Sequence, residues 1–249
     1  MKHIKAIGFD LFGTLVFVDK FSRGDALQSL LNILQENGFE IEDDTFVEAY
    51  LEAVRKFKDE ARKDHKETHN RYWICETLNH FGYDVAPGDP RITSAIQQYF
   101  AEFISCMALL PGTAEMLETL HSKYRLGLLS NFTHAPAVRE ALYRLKVNSY
   151  FDFILISGEL GYRKPGALVF SKLIEQFGMP KQQIAYVGDD PVADLQGALD
   201  AGIQPIWTRY AAIHTQRPFK ELPEPLETSV PIVENWNDLL ALLNGEDRT

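Results

Sequence analysis

The sequence predicts an α/β fold, in which a Rossmann-like parallel sheet core carries an inserted all-helical cap domain. An apolar run over residues 4–9 ends at Asp10 and is followed by Gly13 and Thr14, as in a buried strand that leads into a turn. From about residue 24 to residue 106 the apolar spacing is helical, and after Pro111 helices and strands alternate. Because alternation favours a parallel sheet covered on both faces, we expect the first strand to join that sheet.

Four amphipathic stripes predict the helices of the inserted block, and no strand is expected among them. The stripes are Leu27, Leu30, Leu31 and Leu34; Val47, Tyr50, Leu51, Val54 and Phe57; Ile74, Leu78 and Phe81; and Ile92, Ile96, Tyr99, Phe100 and Phe103. The block therefore predicts a division into a core domain, residues 1–16 and 108–249, and a helical cap domain, residues 17–107.

The second half of the chain predicts five helices that alternate with five strands. The helices are expected over 113–121, 137–145, 168–177, 193–201 and 236–243, and the strands over 126–129, 153–156, 184–187, 205–208 and 230–233. Ligands in such sheets bind beyond the carboxyl ends of the strands. We therefore expect a site in the cleft between the sheet and the helical block.

Composition narrows the classes of partner. The 249 residues carry a formal net charge of −10, which disfavours nucleic acid or an anionic membrane as the main partner. No apolar run approaches membrane-spanning length, and the two cysteines, Cys75 and Cys106, have neither the spacing nor the neighbours of a zinc site. We expect a cytoplasmic protein with a small-molecule substrate, whose oligomeric state the sequence leaves open.

Polar and reactive side chains follow four of the predicted strands or the turns beside them. They are Asp10 in FDLFGTL, Ser130 and Asn131 in LLSNF, Lys164 in GYRKP, and Asp189, Asp190 and Asp194 in VGDDPVAD. In order, spacing and position relative to the helical block, this set resembles the motifs of the haloacid dehalogenase superfamily along the whole chain. The resemblance implies a hydrolase with a helical cap.

The chemistry of these residues points to covalent catalysis. A carboxylate at a strand end, beside the backbone amides of a Gly-Thr turn, can attack phosphorus or carbon, so Asp10 is the predicted nucleophile. Asp189 and Asp190 can approach it only with a cation among them, and Mg²⁺ takes such hard oxygen ligands. The resemblance implies that the backbone carbonyl of Phe12 supplies a further ligand.

The remaining strand-end residues are assigned to charge compensation and substrate binding. Lys164 would offset the charge of Asp10 and of the transferred group, and the resemblance implies that Asp194 orients Lys164 or a water molecule. Thr14, Ser130 and Asn131 are predicted to bind the substrate through hydroxyl, amide and backbone groups. The alternative for Asp190 and Asp194 is that they cap the helix that follows them.

Phe12 breaks the pattern of the superfamily's phosphatases, which carry a second aspartate at that position as acid and base. A phenyl ring transfers no proton, so three explanations are open: a leaving group that needs no proton, a replacement by Asp194 or a cap residue such as His65 or His69, or slow catalysis. The superfamily's dehalogenases have an aromatic residue there, but they need no metal. The acidic pair favours an Mg²⁺-dependent phosphatase over a 2-haloacid dehalogenase. A third alternative is a binding protein that keeps the fold and the ion site but turns over poorly because of Phe12.

Overall fold

The computed structural model describes residues 1–218 and 230–245. Within these residues the strands are β1 Ala6–Phe9, β2 Val16–Val18, β3 Met107–Leu109, β4 Arg125–Ser130, β5 Phe153–Ile156, β6 Ile184–Gly188, β7 Gln204–Thr208 and β8 Ile232–Val233. Six of them form one sheet in the order β5-β4-β1-β6-β7-β8, and each neighbouring pair is parallel. The predicted α/β class and the parallel sheet are confirmed.

The first strand lies in the middle of this sheet, although about a hundred residues separate it from the next strand of the sheet in sequence. β1 pairs with β4 on one side and with β6 on the other. Its apolar side chains, such as Ile7 and Phe9, are completely buried, which explains its continuous apolar sequence. The central position places Asp10, the residue after β1, between the ends of β4 and β6.

The inserted block consists of helices that bury a core of their own. They are α1 Arg23–Glu36, α2 Asp43–Asp64, α3 Asn70–His80 and α4 Pro90–Ser105. Leu30, Phe46 and Ile92 are among the buried side chains that hold them together. The predicted stripe of α2 is wrong in part, because Val47 and Leu51 are more than a third exposed whereas Phe46 is buried. Tyr50 of the predicted stripe is buried, and Val54 and Phe57 pack against the same cluster, so this part of the stripe is confirmed.

One strand precedes the helical block and one follows it, and the two strands pair as an antiparallel ribbon. The sequence analysis did not predict this ribbon. β2 pairs with β3 through Val16 with Leu109, Phe17 with Ala108 and Val18 with Met107. Strands of three residues are too short to show an alternating pattern. Both predicted domain boundaries fall inside this ribbon, and the division into two domains stays a prediction.

The predicted helices of the second half are confirmed, with one difference. They are α5 Thr113–His121, α6 Ala135–Arg144, α7 Ser157–Leu160, α8 Ala167–Phe177, α9 Gly197–Ala201, α10 Tyr210–His214 and α11 Trp236–Asn244. The helix expected over 193–201 is divided into a π-helical turn, Pro191–Gln196, and α9. α7 and α10 were not predicted. None of the helices in the described part of the chain has the length and apolar character to cross a membrane.

Candidate active site

Asp10 lies at the carboxyl end of β1 with little exposure to solvent. The residue is only 6% exposed, and its backbone amide donates to the carbonyl of Val187 at 2.9 Å. The hydroxyl of Thr14 donates to Oδ2 at 3.2 Å, and Nζ of Lys164 donates to Oδ1 at 2.7 Å. Thr14 therefore holds the predicted nucleophile directly, which is a contact the sequence did not specify.

Lys164 is buried and places its ammonium group between two carboxylates. Nζ donates to Oδ1 of Asp10 and to Oδ1 of Asp194, both at 2.7 Å, and to the hydroxyl of Tyr186 at 2.8 Å. These three bonds use every hydrogen that an ammonium group can donate. The structure therefore brings together the three residues predicted to be catalytic.

Burial and charge act in opposite directions on this group of residues. Burial raises the pKa of Asp10, while the charge of Lys164 lowers it, and the net shift is upward. Burial likewise raises the pKa of Asp194 to about 6. Burial alone would lower the pKa of Lys164, but the charges of Asp10 and Asp194 outweigh it, so the pKa rises well above its ordinary value. Lys164 is accordingly a permanent cation near neutral pH.

Asn131 fixes the main chain from which Lys164 extends. Its Oδ1 accepts from the backbone amide of Lys164 at 2.8 Å, and its Nδ2 donates to the backbone carbonyl of the same residue at 3.0 Å. The peptide bond between Lys164 and Pro165 is cis. The Asn131 carboxamide thus joins the end of β4 to the lysine loop, and its substrate-binding role stays a prediction.

Three carboxylates converge beside Lys164. Asp10, Asp189 and Asp194 each offer one oxygen, and these oxygens lie within 4.8 Å of one another. Gly13 has φ +85°, and a Cβ there would lie 2.8 Å from the carboxyl carbon of Asp189; a Cβ on Gly188 would lie 2.4 Å from that of Asp194. Both glycines are required because the carboxylates occupy the space of a side chain.

The convergent carboxylates differ in one member from the three carboxylates predicted to bind the metal. Asp190 is not among them; its Oδ1 accepts from the amides of Val192 and Ala193 at 3.0 and 2.8 Å and caps the π-helical turn, and its role as a metal ligand stays a prediction. Asp194, one turn later, reaches the site instead, and its Oδ2 accepts from the amide of Asp190 at 2.9 Å. The capping role considered for Asp190 from the sequence is the one its contacts describe.

Ser130 has a buried hydroxyl with no protein partner. The residue is completely buried at the end of β4, and Oγ forms no hydrogen bond within the described part of the chain. Such an unsatisfied group costs about 1–3 kcal/mol, so it usually has a partner outside the protein or a function. Its position beside the strand that carries Asp10 fits a hydrogen bond to a ligand.

The side chain of Phe12 belongs to an aromatic cluster above the site. Its ring stacks on Phe132 with the centroids 4.8 Å apart and contacts Phe103 at 5.8 Å. Next to this cluster is a cavity of about 480 Å³, whose lining includes Gly13, Asn131, Asp189 and Arg209. The ring therefore packs between the sheet and α4, and no contact described for it supplies a proton donor.

His65 and His69 connect the helical block to the core. The carbonyl of His65, which follows α2, accepts from the amide of Arg163 at 2.8 Å. Nδ1 of His69 accepts from the amide of Arg71 at 3.1 Å and begins α3, while its Nε2 lies 3.4 Å from Nδ1 of His134. Burial lowers the pKa of both His69 and His134 to about 4, so both rings are neutral near pH 7.

Tyr186 is the site residue that sequence reasoning missed. It lies inside β6, completely buried, and its hydroxyl donates to the carbonyl of Leu129 at 2.8 Å while accepting from Lys164. Burial raises the pKa of its hydroxyl well above the ordinary value, so the hydroxyl stays protonated. A buried strand tyrosine needs a polar partner, which was the available signal, but the pattern did not say which one.

Comparison with known proteins agrees with this geometry. A family model described as a haloacid dehalogenase-like hydrolase matches residues 4–202. The glyceraldehyde 3-phosphate phosphatase of Pyrococcus abyssi is 24% identical over 246 residues, covering 98% of this chain and 95% of that protein. A 2-haloacid dehalogenase of Pseudomonas syringae pv. Tomato DC3000 superposes with a TM-score of 0.69 at 22% identity, covering 97% of this chain and 99% of that one. The hydrolase YfnB of Bacillus subtilis, bound to magnesium, superposes with a TM-score of 0.62 at 18% identity, covering 97% of this chain and 99% of that one.

The acidic residues at the strand ends and the helical insertion indicate a hydrolase with a Rossmann-like core, and the family model that matches residues 4–202 names the family. This chain belongs to the haloacid dehalogenase-like hydrolases. The resemblance seen in the motifs and the predicted enzyme class are confirmed.

The contacts of Tyr186 predict a loss of stability in Tyr186→Phe. The change removes one acceptor from Lys164 and the donor to Leu129, so the free energy of unfolding should fall by about 1–3 kcal/mol. Urea denaturation followed by circular dichroism measures this fall. Tyr143→Phe is the control, since Tyr143 is 72% exposed and the same change there should stay within about 0.5 kcal/mol. Equal effects at both positions would contradict the role given to Tyr186.

Proposed function

We propose that this hydrolase is an Mg²⁺-dependent phosphatase that acts on a small phosphorylated metabolite through an aspartyl-phosphate at Asp10. The observation that carries the proposal is the convergence of Asp10, Asp189 and Asp194 beside a buried lysine. The single charge of Lys164 offsets only one of three carboxylate charges, and the charge of Asp189 raises the pKa of Asp10, so a further cation would relieve the remaining repulsion. Phosphoryl transfer uses such a cation, whereas displacement of a halide needs none.

The donor set fits the proposed metal. Mg²⁺ prefers a few carboxylate oxygens completed by water and a substrate phosphate, and Asp10, Asp189 and Asp194 offer such oxygens. By the resemblance to the family, the carbonyl of Phe12 adds a ligand. When bound, the ion would neutralise the carboxylates and stabilise the charge of the transferred group. The magnesium bound to the hydrolase of Bacillus subtilis supports this assignment.

The chain's own residues provide the covalent step. A carboxylate oxygen of Asp10 attacks phosphorus, the bond from phosphorus to the leaving oxygen breaks, and water then cleaves the aspartyl-phosphate to give phosphate and free Asp10. Lys164 holds the attacking carboxylate in place and opposes the negative charge that gathers on the phosphoryl oxygens. The unpaired hydroxyl of Ser130 is a donor for one of those oxygens. The phosphatase activity of the Pyrococcus abyssi relative supports this reaction class.

We assign the helical segment, residues 17–107, as the cap that covers the site. Phe103 of α4 packs against Phe12 and Phe132 of the core, so apolar surface lies where the leaving group would emerge. An apolar cover excludes water and strengthens the electrostatic interactions beneath it. The cap also carries the side chains that would select the leaving group.

The phenyl ring of Phe12 favours a second candidate function, that of a dehalogenase. The ring occupies the position of the usual acid and base, and a halide leaves without a proton. A 2-haloacid dehalogenase also shares the fold. The acidic trio argues against this activity, because a metal-free site would hold the nucleophile and two further carboxylates with only the single charge of Lys164 to offset them.

Metal dependence separates the two functions. With Mg²⁺ present, release of phosphate from a panel of phosphorylated metabolites should be lost on addition of EDTA, and Asp10→Asn should lower it at least about 1000-fold because the nucleophile is gone. Phosphate release and halide release from 2-haloacids are measured side by side. Halide release that persists in EDTA would identify the dehalogenase, and inertness towards both substrate classes would favour a binding protein.

The two neighbouring aspartates should respond differently to removal of charge. Asp189→Asn removes a member of the acidic trio and should weaken Mg²⁺ binding at least about tenfold. Asp190→Asn alters only the cap of the π-helical turn and should leave Mg²⁺ affinity within about twofold, since asparagine caps as well as aspartate. Isothermal titration calorimetry with Mg²⁺ measures both. A larger loss of Mg²⁺ affinity in Asp190→Asn than in Asp189→Asn would show that Asp190 is a metal ligand.

The missing acid predicts a strong dependence on the leaving group. Esters of acidic alcohols, such as aryl phosphates, should be hydrolysed faster than alkyl phosphates. Phe12→Asp should raise kcat for alkyl phosphates by about 100-fold or more relative to aryl phosphates, because it restores a proton donor. Phe12→Asn is the matched control, since it removes the same ring without adding an acid. Equal gains in both variants would show that removal of the ring, not proton transfer, limits the rate.

A further inference from the structure

A second cavity, of about 260 Å³, lies between the helical block and the core. It shares Phe103, Asn131 and Phe132 with the larger cavity that Gly13 and Asp189 line. Asn131 holds the backbone of Lys164, and Arg163, the residue before it, also lines the second cavity. The cavity therefore adjoins the proposed reaction centre on the side of the lysine loop.

The charge of this cavity is opposite to that of the protein. Arg23, Lys58 and Arg163 line it, with Glu67 as the one carboxylate among its described lining residues, although the chain as a whole carries a net charge of −10. A local excess of cations in an acidic protein concentrates anionic ligands. The cavity therefore selects for negative charge.

Glu67 offsets only part of the positive charge of the cavity, and other groups also hold its carboxylate. Oε2 accepts from the hydroxyl of Ser157 at 2.5 Å, Oε1 accepts from the amide of Thr68 at 2.9 Å, and Oε1 lies 3.6 Å from the guanidinium of Arg163. Its side chain is only 2% exposed. The carboxylate is thus committed to the junction of the helical block with the core and to Arg163.

Arg23 and Lys58 form no ion pair or hydrogen bond with a carboxylate among the residues described. Partial loss of hydration, followed by the charges of Arg23 and Arg163, lowers the pKa of Lys58. Like charges that lie near one another raise the free energy of the folded protein, and a bound anion relieves the repulsion. These side chains are accordingly placed to receive a negative group from outside the chain.

The remaining walls of the cavity are mostly aromatic, with the polar side chains of Asn70, Asn131 and Thr133 among them. Phe21 contacts Phe103 edge to face at 5.1 Å between centroids, and Phe103 stacks on Phe132 at 5.7 Å. Nζ of Lys58 lies 5.7 Å from the centre of the Trp73 ring. Such walls accept a flat or apolar body, and the cations accept a charged end.

We propose that this cavity binds the leaving group, and that the substrate is a phosphomonoester whose leaving group carries a second anionic group, a carboxylate or a phosphate. The inference rests on the proposed phosphatase function, since it places the transferred phosphate at Asp10. Arg23 and Lys58 bind the second anion, and the aromatic walls hold the body between the two charged ends.

The test compares two esters that differ in the charge of the leaving group. 4-Carboxyphenyl phosphate and 4-carbamoylphenyl phosphate have similar shape, but only the first carries a second anion. With Mg²⁺, kcat/KM should be at least about tenfold higher for the carboxylate, the effect of one charge-assisted contact. 1,4-Phenylene bisphosphate supplies the phosphate version, and the order of the two anionic esters identifies which anion the cavity prefers.

Variants assign the preference to the cavity. Arg23→Gln and Lys58→Gln should each lower kcat/KM for the carboxylate ester at least about fivefold more than for the amide ester. Arg62→Gln is the matched control. Arg62 is a cation on the same helix as Lys58, paired with Asp59 at 2.9 Å and 75% exposed, and it does not line the cavity, so the ratio of the two kcat/KM values should change far less than in Lys58→Gln. A preference that survives in Arg23→Gln and Lys58→Gln would overturn the proposal.

A binding measurement keeps this inference separate from the proposed function. Isothermal titration calorimetry with 4-hydroxybenzoate and with 4-hydroxybenzamide needs no turnover. Saturable binding of the acid that weakens about tenfold in Arg23→Gln supports the cavity even if the chain hydrolyses neither ester. Equal kcat/KM values for the two esters, or equal binding of acid and amide, would overturn it while leaving the phosphatase function intact.

Discussion

The buried ammonium group of Lys164, held between Asp10 and Asp194, is the interaction on which the rest of the site depends. A charge away from water is tolerated only when partners satisfy it, and loss of one partner typically costs about 3–5 kcal/mol. Here the two carboxylates and Tyr186 accept all three hydrogens. These contacts join β1, β6, the lysine loop and the π-helical turn, so the chemistry of the site and its stability come from the same few atoms.

The order of the strands explains how distant parts of the chain meet at this lysine. β1 lies between β4 and β6, so the residues after these three strands emerge side by side at one edge of the sheet. Ser130 is the last residue of β4, the neighbour of β1 on one side, and Asp189 follows β6, its neighbour on the other. Asn131 then ties the lysine loop to the end of β4. Ser130 and Asp189 consequently lie at the same edge of the sheet, one on each side of Asp10.

The sequence allowed the sheet, the helical block and most of the site to be predicted, because long apolar periodicities and polar strand ends are local signals. The features that could not be predicted depend on the direction in which individual side chains point. Asp190 and Asp194 are both acidic and close in sequence, yet only the second turns towards Asp10, since the first caps a π-helical turn that no pattern indicated. The partners of Tyr186 lie on other elements. The exposure of Val47 shows how a shift of one residue moves a side chain off the buried face of a helix.

The ribbon formed by β2 and β3 has a mechanical consequence. The chain leaves the sheet along β2 and returns along β3, and these two strands are hydrogen-bonded to each other. The helices between them are therefore attached to the core through two strands that are paired with each other, and not through two separate segments. Because these strands are hydrogen-bonded, a displacement of one is transmitted to the other, and the ribbon restrains the helical block at both of its ends. A second contact, the bridge between Lys66 and Tyr162, joins the block to the loop that carries Lys164.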